Sequence, residues 1–184
     1  MPAHARTNPM RVEGGVAYID VSTPRLPGSI VRIDSDDVPL VLDGQGRWFA
    51  WLGTKASART YAKRHRLGSG DAIEYMHRLI LGAAAGRFGD HRNGDGLDNR
   101  RSNLRAASHA ENNRNRVGLA GATSRFKGVS LDRKSGKWFA CIKYERRTRS
   151  LGHYEDEIAA AQAYDTAARE HFGEFARPNF GDQR

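Results

Sequence analysis

The sequence predicts an α+β protein with three parts: a small N-terminal antiparallel β region, a central strand–loop–strand–helix segment, and a C-terminal three-stranded antiparallel sheet packed on one helix. Three observations carry this prediction. Short apolar runs alternate with Pro and Gly from residue 16 to residue 51. A loop rich in Gly and Asn separates two short apolar stretches between residues 89 and 116. After residue 124, three alternating stretches precede an alanine-rich helical stripe.

Composition limits the classes of function. The 184 residues carry a formal net charge of +9, and each of the segments 1–84, 85–123 and 124–184 contributes +3. Because the charge is spread along the whole chain, we expect a polyanionic partner, with nucleic acid first and an anionic membrane a distant second. The single cysteine, Cys141, excludes an internal disulfide framework and a cysteine-based zinc site.

No stretch has the apolar core of a signal peptide, and the longest apolar run, around residues 79–85, is too short to cross a bilayer. We therefore expect a protein that is not secreted, has no membrane partner and acts in the cytoplasm of a bacterial or phage-infected cell. No obligate protein partner is evident, and a monomer is expected.

The chain is predicted to divide into four segments: a flexible N-terminus (1–14), a β-rich region with a catalytic segment (15–116, core 76–116), a linker of small residues (117–123) and a C-terminal module (124–184). In the second segment the runs VAYIDV, GSIVRI, VPLVL and RWFAW are predicted strands, and residues 71–81 are predicted to form a helix. Residues 55–66 carry five Lys or Arg and no acid, which favours either phosphate contacts or a solvated face.

In the C-terminal module, the predicted strands are 126–131, 137–144 and 148–154, followed by a helix that Gly173 ends. Strand alternation places Trp138, Ala140 and Ile142 on one face of the middle strand. The opposite face carries Lys137, Phe139, Cys141 and Lys143, and we expect it to be cationic and free.

The central segment places Asp90 and His91 side by side, and Ser108 and Glu111 have the spacing of a capping box that starts a helix. A carboxylate oxygen suits Mg²⁺, and Asn112 inside that helix offers a second oxygen. A histidine accepts a proton near neutral pH, which is what a general base requires. This combination predicts a site that hydrolyses phosphodiester bonds.

The spaced set DH, LDNRRSNLR and HAENN, preceded by HRL, resembles the HNH endonuclease motif in its ββα-metal form, specifically the phage and intron-encoded homing endonucleases. The resemblance implies that His91 is the general base and that Asn103 braces the loop and orients the histidine. It implies that Asp90 and Asn112 hold Mg²⁺, or another divalent cation such as Mn²⁺. His109 and Asn113 are alternatives to Asn112. The residues near this centre that are expected to contact DNA are His77, Arg78, Arg101 and Arg105.

The pieces FKGV, KWFACI, SLGHY, AAAQAYDTAARE and FARPNF resemble the APETALA2-type (AP2/ERF) DNA-binding domain of plant ethylene-response factors. The resemblance implies a sheet that lies in the DNA major groove, where base edges can be discriminated. Phe139 on that face either packs on a thymine methyl or covers the sheet. The expected DNA contacts of this module are Lys127, Ser130, Lys137, Lys143, Arg146, Arg147 and Arg149.

The expected function is therefore that of a Mg²⁺-dependent HNH DNA endonuclease, directed to duplex DNA by its C-terminal domain. Two alternatives remain. One is a non-catalytic DNA-binding regulator that retains a degenerate HNH fold, and the other is an RNA-processing nuclease with the same centre.

Overall fold

The computed structural model describes residues 7–53, 59–68, 72–82, 87–114 and 123–181, with the side chains of 113 and 114 excepted. The chain divides into two compact units, residues 1–109 and 110–184. The boundary falls at the start of a helix, earlier than the predicted linker at 117–123. Most of that linker lies outside the described residues.

The first unit contains two three-stranded sheets and a two-stranded ribbon, all antiparallel. The first sheet has the order β1 (Met10–Glu13), β2 (Val16–Asp20), β3 (Ile30–Asp34). The second has the order β4 (Phe49–Leu52), β5 (Thr60–His65), β6 (Ile73–Tyr75). Strands β7 (Phe88–His91) and β8 (Leu104–Ala107) form the ribbon. Helices α1 (Val38–Val41) and α2 (Met76–Leu81) complete the unit.

One apolar core joins these pieces. Its members are buried residues from both sheets, both helices and the ribbon: Ala17, Ile19, Val31, Ile33, Val41, Trp48, Ala50, Ala62, Met76, Ile80 and Leu104 among them. The indole N–H of Trp48 donates to the Val41 carbonyl at 2.8 Å, so the largest core side chain has its polar atom satisfied. Because Leu104 enters the same core, the ribbon is fixed to the β-rich region.

Four predictions for this unit need correction. The VPLVL run forms α1 rather than a strand, since Pro39 is favourable in a first helical turn and unfavourable in a central strand. The predicted helix 71–81 is, over its described residues, a strand (β6) followed by a helix (α2), which ends at Gly82 in a left-handed conformation. The predicted flexible N-terminus contains β1. The cationic run at 55–66 lies partly outside the described residues, and its Arg64 is buried between Asp43 and Glu74.

The second unit confirms the predicted three-stranded sheet packed on one helix. The strand order is β9 (Val129–Asp132), β10 (Lys137–Tyr144), β11 (Arg147–Tyr154), and the helix is α4 (Glu157–Phe172). Strand β9 starts three residues later than predicted. Helix α3 (His109–Arg114) starts directly after Ser108, as the capping-box spacing predicted.

Helix α4 packs closely because its inner stripe is small. Ala160 packs with Ala140 in one buried cluster, and Tyr164 packs with Ile142 in another. The Asp156 carboxylate accepts a hydrogen bond from the Ala159 N–H at 2.8 Å and caps the helix. The face of β10 that carries Ala140 and Ile142 is thus the covered one.

Candidate functional site

The ribbon β7–β8 positions the first candidate residues. Its register pairs Asp90 with Arg105 and His91 with Leu104. Neighbouring side chains on a strand point to opposite sides, and the side chains of Asp90 and His91 are both buried. Asp90 is 1% exposed and His91 is 3% exposed.

Asp90 lies in a buried ion pair. Its Oδ2 accepts from Arg105 Nε at 2.8 Å, and Arg105 Nη2 lies 2.7 Å from the same oxygen. Arg105 is 7% exposed, so the structure places it as the partner of this carboxylate and not on the surface as a DNA contact. Removing either member would leave a buried charge without its counterion, which is strongly destabilising.

The imidazole of His91 is held by a residue that the sequence analysis did not single out. His91 Nε2 lies 3.1 Å from Asn99 Oδ1, and Asn99 is completely buried. The Asn99 amide donates from Nδ2 to the Gly96 carbonyl, which turns Oδ1 toward the ring. A carboxamide oxygen only accepts, so Nε2 carries the proton and Nδ1 is the basic nitrogen of the neutral ring. No signal in a single sequence distinguishes Asn99 from the other asparagines of this loop.

Burial lowers the pKa of His91, and the hydrogen bond from Nε2 to Asn99 opposes part of that change. The ring is therefore neutral around pH 7, which is the form that accepts a proton.

Asn103 braces the loop, as the resemblance implied. Its Oδ1 accepts from the Asn93 main-chain N–H at 3.0 Å, and its Nδ2 donates to the Asp98 carbonyl at 2.7 Å. These bonds tie the two ends of the loop between β7 and β8. The contact to the His91 ring comes from Asn99, so any influence of Asn103 on the ring runs through the loop.

The loop is also anchored by arginines. Arg100 binds the buried carboxylate of Asp98 through Nε and Nη2 at 2.8 and 2.7 Å. Burial raises the pKa of Asp98, but the hydrogen bond from Arg100 and the charge of Arg32 outweigh it and lower the pKa overall. Arg101, a predicted DNA contact, bonds Asp37 instead, with Nη2 2.6 Å from Oδ1. Its guanidinium therefore fixes the loop to the turn after β3.

His77 is buried rather than exposed to DNA. Its ring lies 5.1 Å from that of His91, centroid to centroid, and also contacts Tyr61 and Tyr75. Burial, followed by the neighbouring His91, lowers the pKa of His77 to about 3. Within the described part of the chain, no hydrogen-bond partner reaches its Nδ1. This side chain is a neutral packing residue, which corrects its prediction as a phosphate contact.

Arg78 follows His77 and remains exposed, with its guanidinium over the Tyr75 ring at 5.4 Å. It lines an open cleft of about 490 Å³ together with Arg66 and Tyr75. Of the four predicted DNA contacts near the centre, Arg78 and Arg101 are exposed, and Arg101 is already paired with Asp37.

The predicted helical metal ligands differ in position. His109 belongs to the first unit, where its ring meets the edge of Phe88 at 5.9 Å. Asn112 belongs to the second unit, whereas Asp90 belongs to the first. Across the described residues, no group of three or more His, Cys, Asp or Glu side chains is placed to hold a metal ion. Asn113, the third alternative, has no described side chain.

The second candidate surface is the sheet face that α4 leaves open. Register pairs Phe139 with Ser130 on one side and His153 on the other, and Lys143 with Thr148. Lys143 and Ser130 are exposed, and Lys137 forms an ion pair with Glu155 at 2.7 Å. The ammonium of Lys127 lies 5.9 Å from the Tyr164 ring centroid.

The arginines of β11 lie differently from the prediction. Arg147 pairs with Tyr144, and Arg149 pairs with Ile142, so both lie on the same side of the sheet as α4, although both side chains remain exposed. The Arg149 guanidinium lies over the Tyr144 ring at 4.4 Å. Arg146 occupies the β10–β11 turn with a positive φ of 63°. The open face is therefore less cationic than expected.

Comparison with known proteins supports the second resemblance. The chain is 42% identical over 76 residues, 41% of its length, to an AP2/ERF and B3 domain-containing protein of Oryza sativa subsp. japonica. The match covers 20% of that plant protein. No family model matches the chain, and no solved structure matches it. No helix among the described residues is long and apolar enough to cross a membrane.

Proposed function

We propose that the chain is a metal-dependent DNA endonuclease of the HNH type, which an AP2/ERF-like sheet domain directs to duplex DNA. The observation that carries the proposal is the neutral His91 imidazole, oriented by Asn99 and adjacent to Asp90 at the end of β7, where the loop that Asn103 braces begins. The similarity to the plant AP2/ERF and B3 protein supports the DNA-binding part.

Asp90 offers the hard oxygen donor that a divalent cation prefers. A carboxylate has about four lone-pair positions, so Asp90 can accept from Arg105 and still offer oxygen to a metal. Within the first unit, Asp90 with His109 would hold Mg²⁺ or Mn²⁺. A bound cation of this kind neutralises charge on the phosphoryl group and on the departing 3′-oxygen.

The residues of the chain supply the proton chemistry. His91 Nδ1 takes a proton from water as the water attacks phosphorus in line, and the positive charge that forms on the ring is stabilised by the Nε2–H bond to Asn99. Asp90 lies next in sequence, and its charge favours the protonated ring. Arg105 holds the Asp90 carboxylate in place.

One observation favours a second function, a non-catalytic DNA-binding protein. The charge of the Asp90 carboxylate is already balanced by Arg105, so this pair can stabilise the fold without a metal ion. In that case the ribbon only stabilises the first unit, and the sheet domain alone contacts DNA.

Supercoiled plasmid incubated with the protein and Mg²⁺ separates the two functions. We expect nicked or linear product that EDTA abolishes. Duplex binding in a mobility-shift assay without any cleavage would support the non-catalytic protein and refute the nuclease. Duplex RNA tested in parallel assigns the substrate class, since an RNA-processing nuclease would cleave it in preference.

A further inference from the structure

The open face of the C-terminal sheet has an apolar centre. The register aligns Ser130, Phe139 and His153 in one row across β9, β10 and β11. The next pair on this face is Cys141 with Ser150, beyond a shift in the register between Ala140 and Cys141. The centre of the face therefore presents the rings of Phe139 and His153 among small side chains.

Phe139 and His153 form a single ring surface. Their centroids are 4.9 Å apart and their planes are inclined by 39°. His153 supports the phenyl ring from β11, while Ser130 on the other side is small and exposed. Phe139 remains partly exposed, so one edge of its ring is available to a partner.

The central rows carry no guanidinium group. All residues from 129 to 154 are described, and the two arginines of β11 pair with Tyr144 and Ile142 on the covered face. The commonest specific contact to guanine is a bidentate one from Arg or Lys to O6 and N7. This row has none to offer, whereas an apolar contact from Phe to the C5-methyl of thymine suits it.

The lysines lie at the ends of the same face. Lys137 and Lys143 are six positions apart on β10, roughly 20 Å along an extended strand. Lys143 is exposed, whereas Lys137 is paired with Glu155 at 2.7 Å and lies opposite Asp132 in the register. Lys143 is therefore the lysine of this face that is better placed for a phosphate contact, and Phe139 lies between the two lysines.

We propose that Phe139, supported by His153, contacts a thymine methyl group, and that the second unit selects sites with thymine at this position over sites with guanine. The inference rests on the proposed function, because it assumes that the unit binds duplex DNA through its open face.

A DNA-binding experiment without cleavage tests this inference. The full chain, in EDTA, selects duplexes from a random pool, and each enriched thymine is then replaced in turn by deoxyuridine, which lacks only the methyl group. At one position we expect affinity to fall threefold to fivefold, the effect of losing one buried methyl contact. In Phe139→Ala the thymine and deoxyuridine duplexes should bind equally, while Phe139→Leu should keep part of the preference.

Lys143→Gln is the matched control. It should weaken both duplexes by the same factor, because a phosphate contact is indifferent to the base. Equal binding of thymine and deoxyuridine duplexes by the wild type, or a selected site with guanine in place of thymine, would overturn the inference without affecting the nuclease. A failure to select any duplex would refute the DNA-binding function and the inference with it.

Discussion

At the scale of single residues, the two buried histidines of the first unit have different surroundings and different consequences. The Asn99 oxygen accepts a hydrogen bond from His91 Nε2, so the neutral ring carries its proton there and Nδ1 is the basic nitrogen. His77 lies among aromatic rings, and within the described residues its Nδ1 has no partner. The His91 ring is thus held by a hydrogen bond, while the His77 ring is held by packing against aromatic neighbours.

Asn99→Ala should release the His91 ring. Without the acceptor, the neutral ring populates both tautomers, and we expect the ¹⁵N chemical shifts of its two nitrogens to move toward each other. Cleavage should fall by about 10²-fold, at the low end of what general-base catalysis contributes. Asn99→Asp keeps an acceptor and should keep the Nε2–H tautomer. Unchanged ring shifts in Asn99→Ala would contradict the assigned role.

The burial of His77 predicts a pH dependence. Its pKa is about 3 in the folded protein and near 6.5 in the unfolded chain, so between these values the unfolded state binds more protons. Stability of the first unit should therefore be highest above pH 6.5 and should fall as the pH drops toward 3. The slope from this group approaches about 1.4 kcal/mol per pH unit.

Urea unfolding of wild type and His77→Phe between pH 4 and pH 7.5 checks this. The variant should show a shallower slope, although the lowered pKa of His91 keeps it from becoming flat. Identical slopes in the two proteins would show that His77 is accessible and charged in the folded state.

Asp90 and His91 end strand β7 and Asn103 directly precedes β8, so the loop that the sequence pattern marked out lies between them. The contacts that hold them were not predictable. Asn99 contacts His91, and Arg105 contacts Asp90. Both contacts depend on the strand register and on the shape of the loop, which cannot be read from a single sequence.

At the scale of secondary-structure elements, prediction worked where the residue pattern was strong. Strand β10 matches its predicted range because the alternation continues over eight residues, and α4 ends at Gly173 as expected. Short apolar runs were ambiguous. The run that forms α1 is short enough to be a strand, but Pro39 suits the first turn of a helix better than the middle of a strand.

The packing of α4 on β9 gives a prediction about glycine. Gly128 has φ of +78°, and a Cβ there would lie 2.0 Å from Cδ2 of Tyr164. Gly136 has a similar φ of +74° but open space around it. We expect Gly128→Ala to lower the free energy of unfolding of the second unit by about 2–5 kcal/mol, from strain and overpacking together. Gly136→Ala should lower the free energy of unfolding by only about 1 kcal/mol, because it adds backbone strain but no overpacking. Equal losses, measured by thermal unfolding, would contradict the close approach of Tyr164.

At the scale of the whole molecule, the chain combines two units with separate cores. The first contains Asp90 and His91, and the second contains the open sheet face with Phe139. Positive charge is shared by both, which favours a partner that contacts the entire chain. Many of the arginines nearest the candidate centre serve the fold, since Arg64, Arg100, Arg101 and Arg105 all bind carboxylates.

The central claim is that His91 is the general base of a DNA endonuclease. The most direct test is the single-turnover rate of plasmid nicking in Mg²⁺ by wild type, His91→Ala and His171→Ala, each shown to be folded and to bind DNA. His171 is exposed on α4, where its ring stacks on Tyr144, and serves as the matched control. We predict a rate 10²–10⁴-fold lower for His91→Ala and near wild type for His171→Ala. Equal nicking by His91→Ala and wild type would contradict the account.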